Sequence, residues 1–154
     1  DMYSFMYNDI SMKPRQDALD EARQILAGFS DRQIDVFFTG PTPVFKAPPF
    51  RCVDWFNSMN SACIDGGKQQ RAYLERLRAP ILDGISQLSQ IYNNVSVVDG
   101  FDSLCLDDFC HTELNGRPLF FDGDHLSQYG NLVLYPVFKA ALMRPATGGY
   151  LSAR

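Results

Sequence analysis

The feature of the sequence that most constrains the fold is an alternation of amphipathic helical segments with short β-favouring runs. Apolar residues recur at helical spacing over residues 14–29 and again over residues 68–92. A short apolar run follows each segment, at residues 34–38 and 95–98. Parallel strands need helical crossovers between them, so this order predicts an α/β fold built on a parallel sheet. A last helix is expected to begin at the cap Ser127.

Composition and charge favour one globular domain without a nucleic-acid partner. The chain has 154 residues, of which 45% are hydrophobic and 21% are charged, which suits a single domain with a core. Its net charge of -4 gives no basic surface that would attract nucleic acid. No apolar stretch is long enough for a transmembrane helix, and any export signal or membrane anchor is expected outside residues 1–154. Residues 144–154 are expected to form a loosely packed tail.

The four cysteines form two local pairs in the sequence, Cys52 with Cys63 and Cys105 with Cys110. Disulfides between such neighbours would close short loops, and they would indicate an oxidising compartment. Four cysteines allow three pairings, so spacing alone does not fix the connectivity, and four reduced thiols are the alternative.

His125 is the best candidate for a general base, because the chain has only one other histidine, His111. Asp122 lies three residues before His125 and can fold back to accept the hydrogen of its Nδ1 nitrogen. That contact would leave Nε2 free to take a proton from a hydroxyl. Asp124 is the alternative partner, although adjacent side chains diverge. A D-x-x-H spacing also occurs in loops that carry an exposed histidine without catalytic function.

Three further groups of residues allow other interpretations. A metal site is one alternative, and its ligands would be Cys105, Cys110, His111 and His125. Structural zinc usually has two regularly spaced ligand pairs, and the second pair is missing here, so we predict no metal. Basic residues near the second helix are expected on its solvated side; they are Lys68, Arg71, Arg76 and Arg78. Trp55 and Phe56, in a proline-rich loop, could form a platform for a sugar.

The stretch from Pro118 to Gly130, which contains Asp122 and His125, resembles the final block of SGNH hydrolases. More narrowly, it is similar to the extracytoplasmic C-terminal domain of bacterial membrane acyltransferases that O-acetylate surface polysaccharides. Other parts of the family pattern occur in the same order over residues 34–138: a Gly-Pro-Thr-Pro strand end at 40–43, the first cysteine loop, a Val-Asp strand end at 98–99, and a cysteine hairpin. The resemblance implies a three-layer α/β/α, flavodoxin-like fold.

The sequence departs from this family at the nucleophile. The family implies a serine in a Gly-Asp-Ser block, and no such block occurs here. Ser103 follows Gly100-Phe101-Asp102, which imitates the block, but an inserted phenylalanine changes the turn, so we interpret Ser103 as structural. Asn8 aligns with the oxyanion asparagine of the family, or is an ordinary turn residue. We expect that the N-terminal strands of the fold, including the nucleophile, lie outside the chain; the alternative is a domain that has lost its nucleophile.

The resemblance therefore predicts an O-acyltransferase, most simply an O-acetyltransferase, that acts on a polysaccharide hydroxyl through a Ser-His-Asp site. Its partners would be the missing N-terminal segment of the same domain, a membrane-embedded domain that supplies the acyl group, and a carbohydrate acceptor. It would need no cofactor and would work at the periplasmic face of the bacterial inner membrane. The alternatives are a carbohydrate esterase that uses the same site and a non-catalytic carbohydrate-binding module.

Overall fold

The computed structural model describes residues 16–52, 54–57, 59–144 and 149–152. The helices are α1 (Gln16–Ser30), α2 (Pro49–Cys52), α3 (Ser61–Gly66), α4 (Arg71–Ile91), α5 (Phe101–Leu104) and α6 (Gln128–Leu142). The strands are β1 (Val36–Thr39), β2 (Lys68–Gln70), β3 (Val95–Asp99), β4 (Phe109–His111), β5 (Glu113–Leu114), β6 (Arg117–Pro118) and β7 (Gly149–Ser152). In these ranges, none of the helices is both long enough and apolar enough to cross a membrane.

The central sheet has the strand order β1-β3-β7, and all three strands are parallel. Val36 of β1 lies opposite Val95 of β3, and Ser96 of β3 lies opposite Gly149 of β7. This sheet confirms the predicted α/β fold. The sequence predicts β1 and β3 but not β7, because Gly149–Ser152 has no apolar run and lies in the stretch expected to be a tail.

Helices cover both faces of the sheet. Successive side chains of β3 point to opposite sides, so this strand contacts the helices on both faces. On one face, Val95 packs in a cluster with residues of α1 and α4, namely Leu19, Leu26 and Leu88. On the other face, Val98 packs against Val137 and Ala141 of α6. The described residues thus form the three layers expected from the resemblance, with β3 buried in the middle.

Helix α4 continues through Pro80 as one element, and it contributes a buried charge to the end of the sheet. We expected Arg78 on the solvated side of this helix, and that prediction is wrong: only 8% of Arg78 is exposed. The Arg78 guanidinium lies 2.5 Å from the Asp99 carboxylate and 4.1 Å from the centre of the Phe101 ring. An ion pair and an aromatic face together offset the cost of removing the cation from water.

The largest core cluster joins the loops that leave the ends of β1 and β3 to the segment before α6. Its buried residues are Phe45, Leu74, Phe101, Leu104, Cys105, Cys110, Leu119, Phe120 and Leu134. The loops after β1 and β3 leave the carboxyl ends of parallel strands and meet at one edge of the sheet, and Leu119 and Phe120 join the same cluster. The segment that contains Asp122 and His125 therefore lies directly beside a packed core.

Both disulfides predicted from the local cysteine pairs are present. Cys52 and Cys63 connect α2 with α3 across a separation of 11 residues, and Cys105 and Cys110 connect the end of α5 with β4 across a separation of 5. Next to these clips, β2 pairs with β4 and β5 pairs with β6, both antiparallel. The first clip closes a segment whose large apolar side chains stay exposed, Trp55 and Phe56 among them, so the disulfide contributes stability that core packing does not supply there.

Candidate active site

A tight turn carries the candidate acid and base. Phe120 forms a single antiparallel bridge with Leu126, and the backbone N–H of Phe121 donates to the His125 carbonyl at 2.7 Å. The N–H of Ser127 donates to the Leu119 carbonyl at 2.9 Å and closes the turn one step further. Residues 122–125 are therefore held at the tip of a short hairpin.

Contacts of Phe45 and Phe120 hold the turn against the core. Phe120 is fully buried, and its ring meets the ring of Phe45 edge to face at 4.9 Å between centres. The N–H of Phe45 donates to the Gly123 carbonyl at 2.7 Å. Phe45 lies on the loop that follows β1, so the packing of this loop determines the position of the turn that carries Asp122 and His125.

Asp122 organises the turn through one carboxylate oxygen. Its Oδ1 accepts the backbone N–H of His125 at 2.7 Å and that of Asp124 at 3.1 Å. Burial opposes ionisation of the carboxyl, but these amide hydrogen bonds, together with side-chain hydrogen bonds from His125 and Asp124, lower the pKa of Asp122 well below its ordinary value. Asp122 is therefore a fixed carboxylate at neutral pH, whose position depends on the backbone and not only on the histidine.

The Asp122 carboxylate also holds the His125 ring. Its Oδ2 lies 2.9 Å from Nδ1, and 77% of the His125 side chain is exposed. The hydrogen bond with Asp122 raises the pKa of His125 above its ordinary value, and the charges of Asp122 and Asp124 add to the effect. With Nδ1 acting as donor, the neutral ring presents an unprotonated Nε2, which is the arrangement that a general base requires.

Asp124 is closer to the histidine than its adjacent position in the sequence suggests. Its Oδ1 lies 3.1 Å from Nδ1 of His125. Burial, followed by the hydrogen bond with Asp122, raises the pKa of Asp124. The structure brings both carboxylates to the same ring nitrogen, and Asp122 in addition accepts the backbone N–H groups of both Asp124 and His125.

The same three side chains form a cluster that the sequence did not suggest. Ligand atoms of Asp122, Asp124 and His125 lie within 4.8 Å of one another, and two carboxylates with an imidazole can hold a divalent cation. Exposed acidic groups often form such clusters without a metal, so the cluster alone does not indicate one.

Helix α6 begins immediately after the site, and Ser127 caps it as predicted. The Ser127 hydroxyl accepts the N–H of Gly130 at 3.0 Å and donates to the Pro118 carbonyl at 2.6 Å. Gly130 must be glycine here, because a Cβ would lie 2.1 Å from the Leu119 carbonyl oxygen. The first turn of α6 is thus pressed against the strand segment that leads to Asp122.

The other sequence candidates do not join this site. Ser103 lies in α5, and no hydrogen bond within the described residues connects it with His125. The cysteine metal site is ruled out, because Cys105 and Cys110 are bonded to each other. Asn8 lies outside the described residues, so its predicted position near the oxyanion stays a prediction.

The comparison with protein families decides the family of this chain. A family model described as an SGNH domain fused to AT3 domains matches residues 2–140. The chain belongs to this family. Searches of curated proteins and of solved structures found no match. Membership in the SGNH family indicates an esterase-like or acyl-transfer role, and AT3 domains are acyltransferases.

Two further features of this SGNH domain were not predicted from the sequence. The rings of Phe50 and Phe121 stack with their centres 5.0 Å apart and an angle of 10° between their planes. They are distant in the sequence, so only the tertiary fold brings them together. The close approach of Gly130 to Leu119 was also missed, although a glycine in the first turn of a capped helix, where it lowers helix propensity, is a signal of such a contact.

Proposed function

We propose that this SGNH domain is the catalytic domain of an O-acyltransferase that moves an acetyl group onto a hydroxyl of a cell-surface polysaccharide. The observation that supports this most directly is the contact between Asp122 and Nδ1 of His125 in a chain of the SGNH family. This contact orients the ring, makes it more basic and leaves Nε2 for the substrate. No other described histidine has a carboxylate in this relation to it.

The proposed reaction has two steps through an acyl-serine intermediate. A serine hydroxyl attacks the carbonyl carbon of the acyl donor while Nε2 of His125 accepts the hydroxyl proton, and the donor's leaving group departs with that proton. The acceptor hydroxyl then attacks the acyl carbon, and its proton passes through Nε2 to the serine oxygen, which leaves. Asp122 keeps the proton of the neutral ring on Nδ1 and stabilises the imidazolium in both steps.

The serine is proposed to come from outside the described residues. The chain contains no Gly-Asp-Ser block, and none of the serines that the structure describes is hydrogen-bonded to His125. On one side of β1, no described strand pairs with the sheet. A strand added there would bring its own carboxyl end to the edge of the sheet where the turn lies, and that is where we place the nucleophile. Asn8 is the proposed donor to the oxyanion.

The proposed partner is a membrane-embedded acyltransferase domain that supplies the acyl group. The family description supports it, because these SGNH domains are fused to AT3 domains. Two disulfides support an oxidising compartment, which agrees with the periplasmic face of the bacterial inner membrane. The reaction as written needs no cofactor.

Two other functions are consistent with parts of the structure. If water replaces the sugar hydroxyl in the second step, the same site is a carbohydrate esterase. A non-catalytic carbohydrate-binding module is favoured by Trp55 and Phe56, which are 85% and 64% exposed and touch edge to face. A binding module would catalyse neither reaction, and its affinity for carbohydrate would not require His125 as a base.

The test replaces His125 with Ala in the complete protein and measures two reactions. One is hydrolysis of an aryl acetate, and the other is transfer of acetyl to polysaccharide purified from the cells that make the protein. Loss of a general base should lower both rates by roughly 10²–10⁴-fold. Gln90→Ala, at an exposed position of α4, is the control and should keep full activity.

Two outcomes would count against the proposal. Equal rates for His125→Ala and Gln90→Ala would rule out a catalytic histidine at this position. Loss of activity after treatment with a chelator, restored by a divalent cation, would assign the cluster of Asp122, Asp124 and His125 to a metal instead of an acid-base pair.

A further inference from the structure

Aromatic side chains continue the surface that begins at the candidate active site. Phe121 directly precedes Asp122, and its backbone N–H is bonded to the His125 carbonyl, so its ring moves with the turn. Phe121 and Phe50, which stack on each other, are 59% and 43% exposed and lie outside the buried core clusters. Two exposed stacked rings beside a catalytic pair are not explained by core packing.

A cavity of about 300 Å³ is lined by Pro49, which precedes Phe50 in the chain, and by Pro118, which lies three residues before Phe121. Pro49 and the disulfide from Cys52 to Cys63 form an apolar part of its wall, next to Phe50 in the sequence. Polar side chains also line the cavity, including Lys68, Thr112 and Glu113. The cavity and the pair of rings are therefore built from the same two stretches of chain, residues 47–52 and 118–121.

We propose that the Phe50–Phe121 pair and this cavity are subsites for the acceptor, which bind sugar units beyond the one that carries the acylated hydroxyl. The inference rests on the proposed function and adds that the acceptor is recognised as a chain of several sugars. A sugar ring has an apolar C–H face, which fits an exposed aromatic face, and a polar edge of hydroxyl groups.

The lining of the cavity favours an uncharged, hydroxyl-rich ligand. Lys68 and Glu113 contribute one charge of each sign, so the wall gives no net field for an anion such as phosphate. A lining that combines apolar residues with a small number of hydrogen-bonding groups is typical of sites that orient a small ligand, and the volume lies at the lower end of their range. A purely apolar occupant such as a lipid chain would leave these polar groups without partners.

The test measures binding without turnover. Polysaccharide from the surface of the cells that make the protein is cut into oligomers of one to several repeats. Their affinities are measured by calorimetry with the complete protein carrying His125→Ala. Affinity should rise with oligomer length, and Phe121→Ala or Phe50→Ala should weaken binding of the longer oligomers roughly tenfold or more, as for aromatic anchors that a ligand covers.

Further variants separate aromatic contact from general effects on the fold. Phe121→Leu keeps apolar volume without an aromatic face and should recover only part of the affinity. Glu113→Arg should weaken binding of the longer oligomers more than binding of the single repeat, because Glu113 lines the cavity, which is the subsite farther from His125. Tyr135→Ala removes an aromatic ring of similar exposure from the outer side of α6 and should leave every affinity unchanged.

Equal affinities for Phe121→Ala and Tyr135→Ala would overturn the inference, as would affinities that do not depend on oligomer length. The first result would mean that the rings contact something else, such as the membrane-embedded domain. Failure of the proposed function is recognised separately. His125→Ala would then still hydrolyse the aryl acetate, whatever the phenylalanine variants do to binding.

Discussion

Replacing Ser127 with Ala is the most informative single change outside the acid-base pair, because one hydroxyl makes two bonds that hold the turn to α6. It accepts the N–H of Gly130 at 3.0 Å and donates to the Pro118 carbonyl at 2.6 Å. His125 lies two residues before it, on the same turn. The change therefore removes a helix cap and a tie between the two ends of the site.

The expected cost follows from these two bonds. Loss of an N-cap serine costs about 1 kcal/mol. The bond to Pro118 adds about 0.5 kcal/mol, the low end for a hydrogen bond, because water can replace the hydroxyl at this exposed carbonyl. The sum of about 1.5 kcal/mol should lower the melting temperature by about 3–6 °C for a domain of this size. The rate of aryl acetate hydrolysis should fall less in Ser127→Ala than in His125→Ala, because the His125 ring keeps its hydrogen bond with Asp122.

Urea unfolding of the wild type, Ser127→Ala and Ser127→Thr measures this effect. Threonine keeps a hydroxyl that can both cap and donate, so Ser127→Thr should stay within about 0.5 kcal/mol of the wild type. If Ser127→Ala is as stable as Ser127→Thr, the hydroxyl does not hold the turn, and the reasoning about how α6 positions His125 is refuted.

Three further predictions concern the core, a disulfide and pH. Replacing Arg78 with Met should destabilise the fold by about 3–5 kcal/mol, because Asp99 stays buried without the guanidinium; urea unfolding checks this, and a change below 1 kcal/mol would contradict it. Replacing Cys52 and Cys63 with Ser should cost about 3 kcal/mol from the entropy of the open loop; an unchanged melting temperature would contradict it. The esterase rate should rise with pH as His125 loses its proton, with a midpoint above the ordinary histidine value because its pKa is raised; a midpoint below that value would contradict it.

The parts of the fold and site that could be predicted from the sequence are those set by local spacing. A carboxylate three residues before a histidine can reach its Nδ1 nitrogen within one turn, so the contact between Asp122 and His125 needed no knowledge of the tertiary structure. The disulfide from Cys105 to Cys110 is local in the same sense. The apolar runs of β1 and β3 predicted the parallel sheet because a buried parallel strand has few polar positions.

The parts that were missed depend on contacts between distant segments. Arg78 has a helical position that looks solvated, and it is buried only because β3, which packs beside α4, ends at Asp99 and is followed by Phe101. Strand β7 has no hydrophobic pattern and forms by pairing with β3. The contact between Phe50 and Phe121 likewise joins two loops, and no local rule predicts it.

Nitrogen-detected NMR of His125 across a pH titration tests most directly whether Asp122 aims this ring and makes it basic. In the wild type, the neutral ring should carry its proton on Nδ1, and the pKa should lie above the ordinary histidine value. Asp122→Asn should lower that pKa, because the carboxylate that favours the imidazolium is removed. A neutral ring protonated on Nε2, or a pKa that is the same in both proteins, would contradict the account.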